Sequence, residues 1–169
     1  GIPGVRVIQD GDLVKLDLVA EKDGFFADAA VTVRVGAVPE TAAALARCAE
    51  SAFQQATRSA RAGNRVSEIG RAVEQETHRC GFRVMRELCG HGVGRGIHEP
   101  PSVPNFYDPR SKTRLTEGLV ITIEPIIAAG TGRGVLQKDG WTIRTADGAL
   151  SAHYEHTLVI TKTAPVILT

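Results

Sequence analysis

The stretch that decides the fold reads Leu88-Cys89-Gly90-His91-Gly92-Val93-Gly94-Arg95-Gly96-Ile97-His98-Glu99-Pro100. Two histidines seven residues apart lie among four glycines, directly after Leu88-Cys89. Because glycine has no Cβ, other atoms can approach its backbone closely, and a histidine in this setting can be presented to a ligand. We therefore interpret His91 as a candidate metal ligand.

Four carboxylates elsewhere in the chain could complete a metal site, because each is alone on an otherwise apolar, strand-like segment. Two divalent cations would balance their four negative charges, whereas without metal the cluster must repel itself or take up protons. Two such cations, about 3.5–4 Å apart, can activate a shared water, so hydrolysis of an amide is the expected reaction. The carboxylates are Asp17 (segment 13–20), Asp28 (25–35), Glu124 (119–125) and Glu155 (152–161).

The donor set also limits the identity of the metal. Four oxygen donors and one imidazole suit manganese, iron or cobalt better than a thiolate-bound structural zinc, with catalytic zinc as a further candidate. Cys89 could be considered as a nucleophile instead. It is expected to be a small buried residue under the histidine loop, because the sequence places no base beside it.

The first two strand-like segments are predicted to form a β-hairpin with the four-residue turn Glu21-Lys22-Asp23-Gly24. If Ala20 pairs with Phe25, counting back along both strands places Asp17 directly opposite Asp28, with Cβ atoms roughly 5 Å apart. Like charges at this separation destabilise a sheet. A pair of divalent cations supplies a reason to retain them.

Two amphipathic helices are predicted to follow the hairpin and to cover one face of the sheet. The first is expected to begin near Pro39 and to stop at Gly63. The second is expected to have Ser67 as its N-cap and to end at Gly81. The inward positions predicted from helical spacing are Leu45, Ala49, Phe53, Ala56 and Ala60 in the first helix and Ile69, Val73 and Cys80 in the second.

The second half of the chain is predicted to contain a loop over 101–116 and strands over 119–125 and 152–161. One pair of strands precedes the helices, another follows the glycine-rich stretch, and each pair carries two carboxylates. This arrangement suggests two related halves of one curved sheet. We predict an α+β architecture in a single domain over residues 1–169.

Composition excludes several classes of function. Lys and Arg total 20 against 19 for Asp and Glu, a formal net charge of +1, so neither nucleic acid nor an anionic membrane is expected as a partner. The 3 cysteines show no C-x-x-C spacing, which favours a reducing cytoplasm over a disulfide framework. No apolar run approaches the roughly 18 residues that a membrane helix needs.

In combination, these residues resemble the type I methionine aminopeptidases, which have the pita-bread fold. The similarity runs along essentially the whole chain. It implies a curved antiparallel sheet with helices covering one face and two pseudo-symmetric halves. The motifs that carry it are Asp17 and Asp28 eleven residues apart, Gly90-His91-Gly92-Val93-Gly94-Arg95 followed by His98-Glu99-x-Pro101, Thr122-Ile123-Glu124-Pro125, and Ser151-Ala152-His153-Tyr154-Glu155-His156-Thr157.

The resemblance implies roles for individual residues. Glu124 would act as general base, and His98 would contact the substrate amide and steady the tetrahedral intermediate. Trp141 would line the methionine pocket, and Ile97 would occupy a pocket position where the family often has an aromatic residue. The residues matching the family's ligands for two divalent ions are Asp17, Asp28, His91, Glu124 and Glu155, with Asp28 and Glu155 bridging.

The activity implied is removal of the initiator methionine from nascent chains whose second residue is small, by a cytoplasmic monomer near the ribosome. Relative to the family, a leading segment that ends in a substrate-binding histidine just before Gly1-Ile2-Pro3 is expected to be missing. Two alternatives stay open. One is an Xaa-Pro aminopeptidase or dipeptidase of the same fold, which shares the five ligands. The other is a catalytically weak pita-bread module that binds peptides or proteins.

Overall fold

The computed structural model describes residues 4–169, so Gly1-Ile2-Pro3, next to which a leading segment was expected to be missing, lies outside the described residues. It contains two helices, α1 (Glu40–Thr57) and α2 (Val66–Arg79). The strands of this part of the chain are β1 (Leu13–Lys22), β2 (Phe25–Arg34), β3 (Arg83–Val84), β4 (Cys89–Gly92), β5 (Glu99–Pro104), β6 (Val120–Ile123), β7 (Ile126–Ala128), β8 (Gly134–Leu136), β9 (Ile143–Thr145), β10 (Ser151–His153), β11 (Glu155–Val159) and β12 (Val166–Ile167).

Seven strands form a central antiparallel sheet in the order β1-β2-β11-β6-β4-β5, with β12 beside β11. A second sheet joins β10, β7 and β3, and β8 pairs with β9. The combination of an antiparallel sheet with two helices confirms the predicted α+β class. Over residues 4–169, no helix combines the length and the apolar character needed to cross a membrane.

The central sheet has an apolar face that packs against the helices. Ile121 and Ile123 of β6 and Leu158 of β11 belong to one buried core cluster with Leu45 and Phe53 of α1. Burying one such side chain contributes about 1.5–3 kcal/mol. Because strand side chains alternate between faces, the residues between these positions point to the opposite, polar face, where the carboxylates lie.

The β1–β2 hairpin pairs two residues away from the predicted register. Asp17 lies opposite Ala30, and Asp28 lies opposite Val19. The prediction that the two aspartates face each other directly was therefore wrong. Since side chains alternate with a period of two, a shift of two residues keeps both aspartates on one face, where they are diagonal neighbours.

The turn explains this shift. Lys22 pairs with Phe25, so the loop is the two residues Asp23 and Gly24. Both have positive φ, 55° and 78°. Positive φ at both central positions characterises a type I′ turn, whose twist matches that of the flanking strands. The predicted four-residue turn over 21–24 lacks this match in twist.

All five residues predicted to point inward from the first helix are buried, but α1 ends at Thr57 and not at Gly63, so Ala60 lies beyond it. Past its end the chain forms a tight turn in which the Ser59 N–H donates to the Ala56 carbonyl, and the Ala62 N–H then pairs with the Thr161 carbonyl. Pairing with a distant segment thus competes successfully with helix propagation.

Helix α2 begins at Val66, one residue before the predicted N-cap Ser67. Its first N–H donates to the Thr113 carbonyl, so a backbone acceptor replaces the expected side-chain cap. The prediction at the other end is confirmed, because Gly81 has φ +84° and its N–H donates to the His78 carbonyl. Ile69 and Val73 are buried as predicted, and Cys80 is half-buried.

Two predictions about the second half were wrong. Residues 101–104 belong to β5, which is the edge strand beside β4, where proline is tolerated because its missing N–H needs no partner. The strand predicted over 152–161 is divided at Tyr154, where the chain passes from β10 in the smaller sheet to β11 in the central sheet. The Tyr154 N–H donates to the carbonyl of Pro125, which lies between β6 and β7, so both segments change sheets at the same place.

We predict that Gly70→Ala destabilises the protein although alanine favours helices. A Cβ at Gly70 would lie 2.6 Å from the Pro104 carbonyl oxygen and would overlap the Phe106 carbonyl oxygen. Overpacking of this kind costs about 1–3 kcal/mol, against a gain of about 1 kcal/mol in helix propensity. Urea unfolding should show a net loss for Gly70→Ala and almost none for the exposed Gln75→Ala on the same helix. A more stable Gly70→Ala variant would contradict the packing described.

Candidate metal centre

Two adjacent rows of side chains on the polar face of the central sheet contain the five candidate ligands. In the first row, Asp17 lies opposite Ala30, and Ala30 lies opposite Glu155. Glu124 extends this row, because it directly follows β6, the next partner of β11. Ala30 presents only a methyl group between two carboxylates, so the register leaves space between them.

The second row is organised by threonine hydroxyls. The Asp28 N–H donates to Thr157 Oγ1 at 2.9 Å, and that hydroxyl donates back to the Asp28 carbonyl at 2.8 Å. Thr157 pairs with Thr122, whose Oγ1 accepts from the His91 N–H at 3.0 Å and donates to Glu124 Oε2 at 2.9 Å. Two buried hydroxyls thus position three candidate ligands.

The sequence analysis predicted no role for these threonines. The alternation along β6 and β11 could have found them, because Thr122 and Thr157 each lie two residues from a carboxylate on the same face. A buried hydroxyl between polar main-chain groups is the kind of residue that such a face requires, since buried polar groups need hydrogen-bond partners.

The tautomer of His91 is set by its own loop. Its Nδ1 lies 2.9 Å from the Gly92 carbonyl oxygen, which can only accept, so Nδ1 carries the proton and Nε2 offers its lone pair. Nε2 lies 3.5 Å from Glu124 Oε2 and 3.8 Å from Asp28 Oδ2. A side chain at Gly92 would overlap the Pro100 carbonyl, which explains the glycine beside the histidine.

The electrostatics of the cluster favour added positive charge. Burial raises the pKa of Asp28 to about 6, and the negative charges of Glu155 and Asp17 act in the same direction, against a smaller opposing effect of His91. Burial also raises the pKa of Glu124, and the Glu155 carboxylate adds to the rise. Four ionised carboxylates are therefore costly here unless cations lie among them.

The residues present fit divalent cations. Asp28, His91 and Glu155 can each offer one ligand atom such that all three atoms lie within 4.8 Å of one another, and the same holds for Asp17, His153 and Glu155. Glu155 is common to both groups. Among the described residues, Asp28 Oδ1 and Glu155 Oε1 are buried and have no hydrogen-bond partner. Buried carboxylate oxygens without partners are expected where a cation supplies the missing interaction.

A cavity of about 550 Å³ opens onto this cluster. Its lining combines the carboxylates and histidines with apolar residues. The exposed ring of His98 lines it and packs edge-on against His91, with ring centroids 4.4 Å apart. The apolar lining residues are Met85, Leu88, Ile126, Trp141 and Ile143.

Three sequence expectations differ in their outcome. Trp141 lines the cavity, although its side chain is largely exposed. Ile97 is partly buried and is not among the described residues that line the cavity. Cys89 is exposed, so the expectation of a buried residue was wrong. It lies at the start of β4, which pairs with the edge strand β5.

Known proteins are similar to this chain along its whole length. A family model described as metallopeptidase family M24 matches residues 1–162. Methionine aminopeptidase 2 of Bacillus subtilis is 43% identical over 171 residues, which cover 100% of this chain and 69% of the relative.

Solved structures show the same relationship. The methionine aminopeptidase from Rickettsia prowazekii superposes with a TM-score of 0.95 at 34% identity, covering 99% of this chain and 68% of that chain. The prolidase from Pyrococcus horikoshii superposes with a TM-score of 0.79 at 27% identity, covering 99% of this chain and 42% of that chain.

The buried carboxylate–histidine cluster and these likenesses together define a metal-dependent peptidase with the pita-bread fold. Within that class, the chain belongs to metallopeptidase family M24. The fold implied by the resemblance in sequence is thereby confirmed.

We predict that the metal-free protein loses stability as pH rises. The pKa of Asp28 is about 6 in the native state against 3.8 for the unperturbed group. The native state therefore keeps a proton that the unfolded chain releases, and stability falls between these values. Asp28→Asn removes this contribution. In EDTA, urea unfolding at about pH 5 and about pH 7.5 should show a larger fall for the wild type than for Asp28→Asn.

Adding a divalent cation should reverse the loss at the higher pH. A ligand at 100 times its dissociation constant stabilises the native state by about 2.7 kcal/mol. Manganese should therefore raise the unfolding free energy of the wild type and raise that of Asp28→Asn less. Equal unfolding curves with EDTA and with manganese would contradict a metal site.

Proposed function

We propose that this chain is a methionine aminopeptidase, which removes N-terminal methionine from peptides and nascent proteins with two divalent cations. The observation that carries the proposal is the convergence of four carboxylates and His91 on one face of the central sheet, beside a partly apolar cavity. Curated relatives named methionine aminopeptidase, at 38–43% identity, support the choice of substrate.

The residues that would hold the cations are Asp17, Asp28, His91, Glu124 and Glu155. Manganese, iron and cobalt suit this donor set, with zinc as a further candidate. When bound, two such cations lower the pKa of a shared water and polarise the scissile carbonyl.

Glu124 is proposed as the general base. Its Oε2 accepts a hydrogen bond from Thr122, which fixes the carboxylate and leaves its other oxygen for a proton from the attacking water. A general base must lie within hydrogen-bond reach of the proton that it accepts, and its efficiency depends on a tuned pKa. Burial of Glu124 raises its pKa and so favours proton acceptance.

His98 is proposed to contact the substrate amide. Its ring is exposed in the cavity and packs edge-on against His91, so it can reach a peptide that lies over the carboxylates. From this place it would donate a hydrogen bond to the oxygen of the tetrahedral intermediate. A donor at such a position typically contributes about 10²–10³ in kcat.

The apolar side of the cavity is proposed to accept the methionine side chain. Of the residues that line it, Met85 is buried, Ile126 is half-buried and Trp141 is largely exposed. A flexible thioether packs well against such surfaces. Ile97 stays a predicted pocket residue.

The proposed setting follows from the same activity. The substrates would be the N-termini of nascent polypeptides near the ribosome, and the enzyme would act as a cytoplasmic monomer. A nearly balanced formal net charge of +1 gives no basis for binding nucleic acid or an anionic membrane.

An Xaa-Pro peptidase is the second candidate, since the prolidase from Pyrococcus horikoshii has the same fold. We predict that Met-Ala-Ser is cleaved in preference to an Xaa-Pro peptide in the presence of manganese or cobalt, as measured by release of free methionine. Cleavage of the Xaa-Pro peptide alone would reject the methionine assignment. Metal binding without cleavage of either peptide would support the peptide-binding module.

We predict that Glu124→Gln abolishes turnover with the fold retained. General acid–base groups contribute about 10²–10⁴ in rate, and the substitution also removes a ligand charge. The matched control is Glu117→Gln, which changes an exposed carboxylate that forms a surface ion pair with Lys162. Circular dichroism should be unchanged in both variants, and kcat should fall only for Glu124→Gln. Activity retained in that variant would show that another residue is the base.

A further inference from the structure

His153 is buried beside the cluster, and the roles assigned so far leave it without a function. Its residue exposure is 7%, and among the described residues its Nε2 has no hydrogen-bond partner. Nε2 lies 3.2 Å from Glu155 Oε2, and Nδ1 lies 3.9 Å from Asp17 Oδ2. A buried ring nitrogen without a partner is costly unless something else in the site binds it.

The main chain of His153 is fixed in a way that holds the ring in this place. Thr32 Oγ1 accepts from the His153 N–H at 2.8 Å and donates to the His153 carbonyl at 2.8 Å. The same two-way bond fixes Asp28 through Thr157. Asp28, which the resemblance names as a metal ligand, and His153 are therefore held by the same kind of contact.

Building on the proposed dinuclear centre, we propose that His153 is a sixth protein ligand, which binds the cation held by Asp17 and Glu155. Atoms that bind one cation at about 2.0–2.2 Å lie roughly 3–4.4 Å apart. The 3.2 Å from His153 Nε2 to Glu155 Oε2 falls within this range, whereas the 3.9 Å to Asp17 is measured from the other ring nitrogen. One ligand atom from each of these three residues lies within 4.8 Å of the other two.

The position of Asp17 explains why a further ligand is useful there. Its side chain is 56% exposed on the edge strand β1, whereas those of Asp28 and His91 are buried. A cation on the Asp17 side would otherwise depend on carboxylate oxygens, one of them in contact with solvent. A buried imidazole gives each side of the centre one nitrogen donor.

A nitrogen donor also changes the preference among metals. Carboxylate and water suit manganese, whereas a nitrogen donor favours the metals that lie above manganese in the affinity order, cobalt among them. Loss of His153 should therefore weaken the binding of cobalt more than that of manganese. We expect His153→Gln to lower the cobalt affinity of one of the two sites by about tenfold or more in calorimetric titrations.

The decisive measurement is proton NMR of the cobalt-loaded protein. A histidine bound to paramagnetic cobalt gives a strongly shifted ring N–H signal that disappears in deuterium oxide. Two such signals are expected for the wild type and one for His153→Gln. The matched control is His156→Gln, whose ring bonds to Tyr154 and Thr169 instead, and which should keep both signals.

The possible outcomes separate the two proposals. One shifted signal in the wild type, retained in His153→Gln, would overturn the ligand role of His153 and leave the dinuclear centre intact. Failure to bind cobalt at all would reject the proposed centre itself, and the ligand role with it. If His153→Gln does not fold, the number of signals in the wild type decides between two histidine ligands and one.

Discussion

The mutual repulsion of four carboxylates on one sheet face is the constraint on which the rest of the structure depends. Burial, together with this repulsion, raises the pKa of Asp28 to about 6 and that of Glu124 further. Removing such groups from water is unfavourable, so the opposite face must supply stability in excess. The core between the helices and strands β6 and β11 does this with fully buried aliphatic side chains.

The repulsion also determines which small and hydroxyl-bearing residues surround the site. Thr122 and Thr157 hold the main chain beside the candidate ligands without adding charge or bulk. Ala30 leaves space between two carboxylates, and Gly92 allows the histidine loop to approach Pro100. The size or the hydroxyl group of each of these residues fits what its neighbours require, and none of them is proposed to take part in the reaction.

The sequence predicted which carboxylates come together better than it predicted the path of the chain. A carboxylate on an apolar strand violates the local pattern and is visible without a structure, as Asp28 and Glu155 show. The register of the hairpin depended on φ values at Asp23 that composition does not reveal. The place of His153 beside the cluster was not predicted. The residue lies at the end of β10, just before the chain changes sheets at Tyr154, and alternation there does not indicate which way a side chain points.

The place of Asp17 on an edge strand has a consequence for motion. Within the described part of the chain, β1 pairs with β2 alone and packs against the core through the partly buried Leu13, so its detachment removes little of the core packing. Such partial opening requires less free energy than global unfolding. It would carry away Asp17 while Asp28, His91, Glu124 and Glu155 keep their places. Transient detachment of β1 would then govern how fast a cation on the Asp17 side exchanges with bulk solvent, independently of a cation on the His91 side.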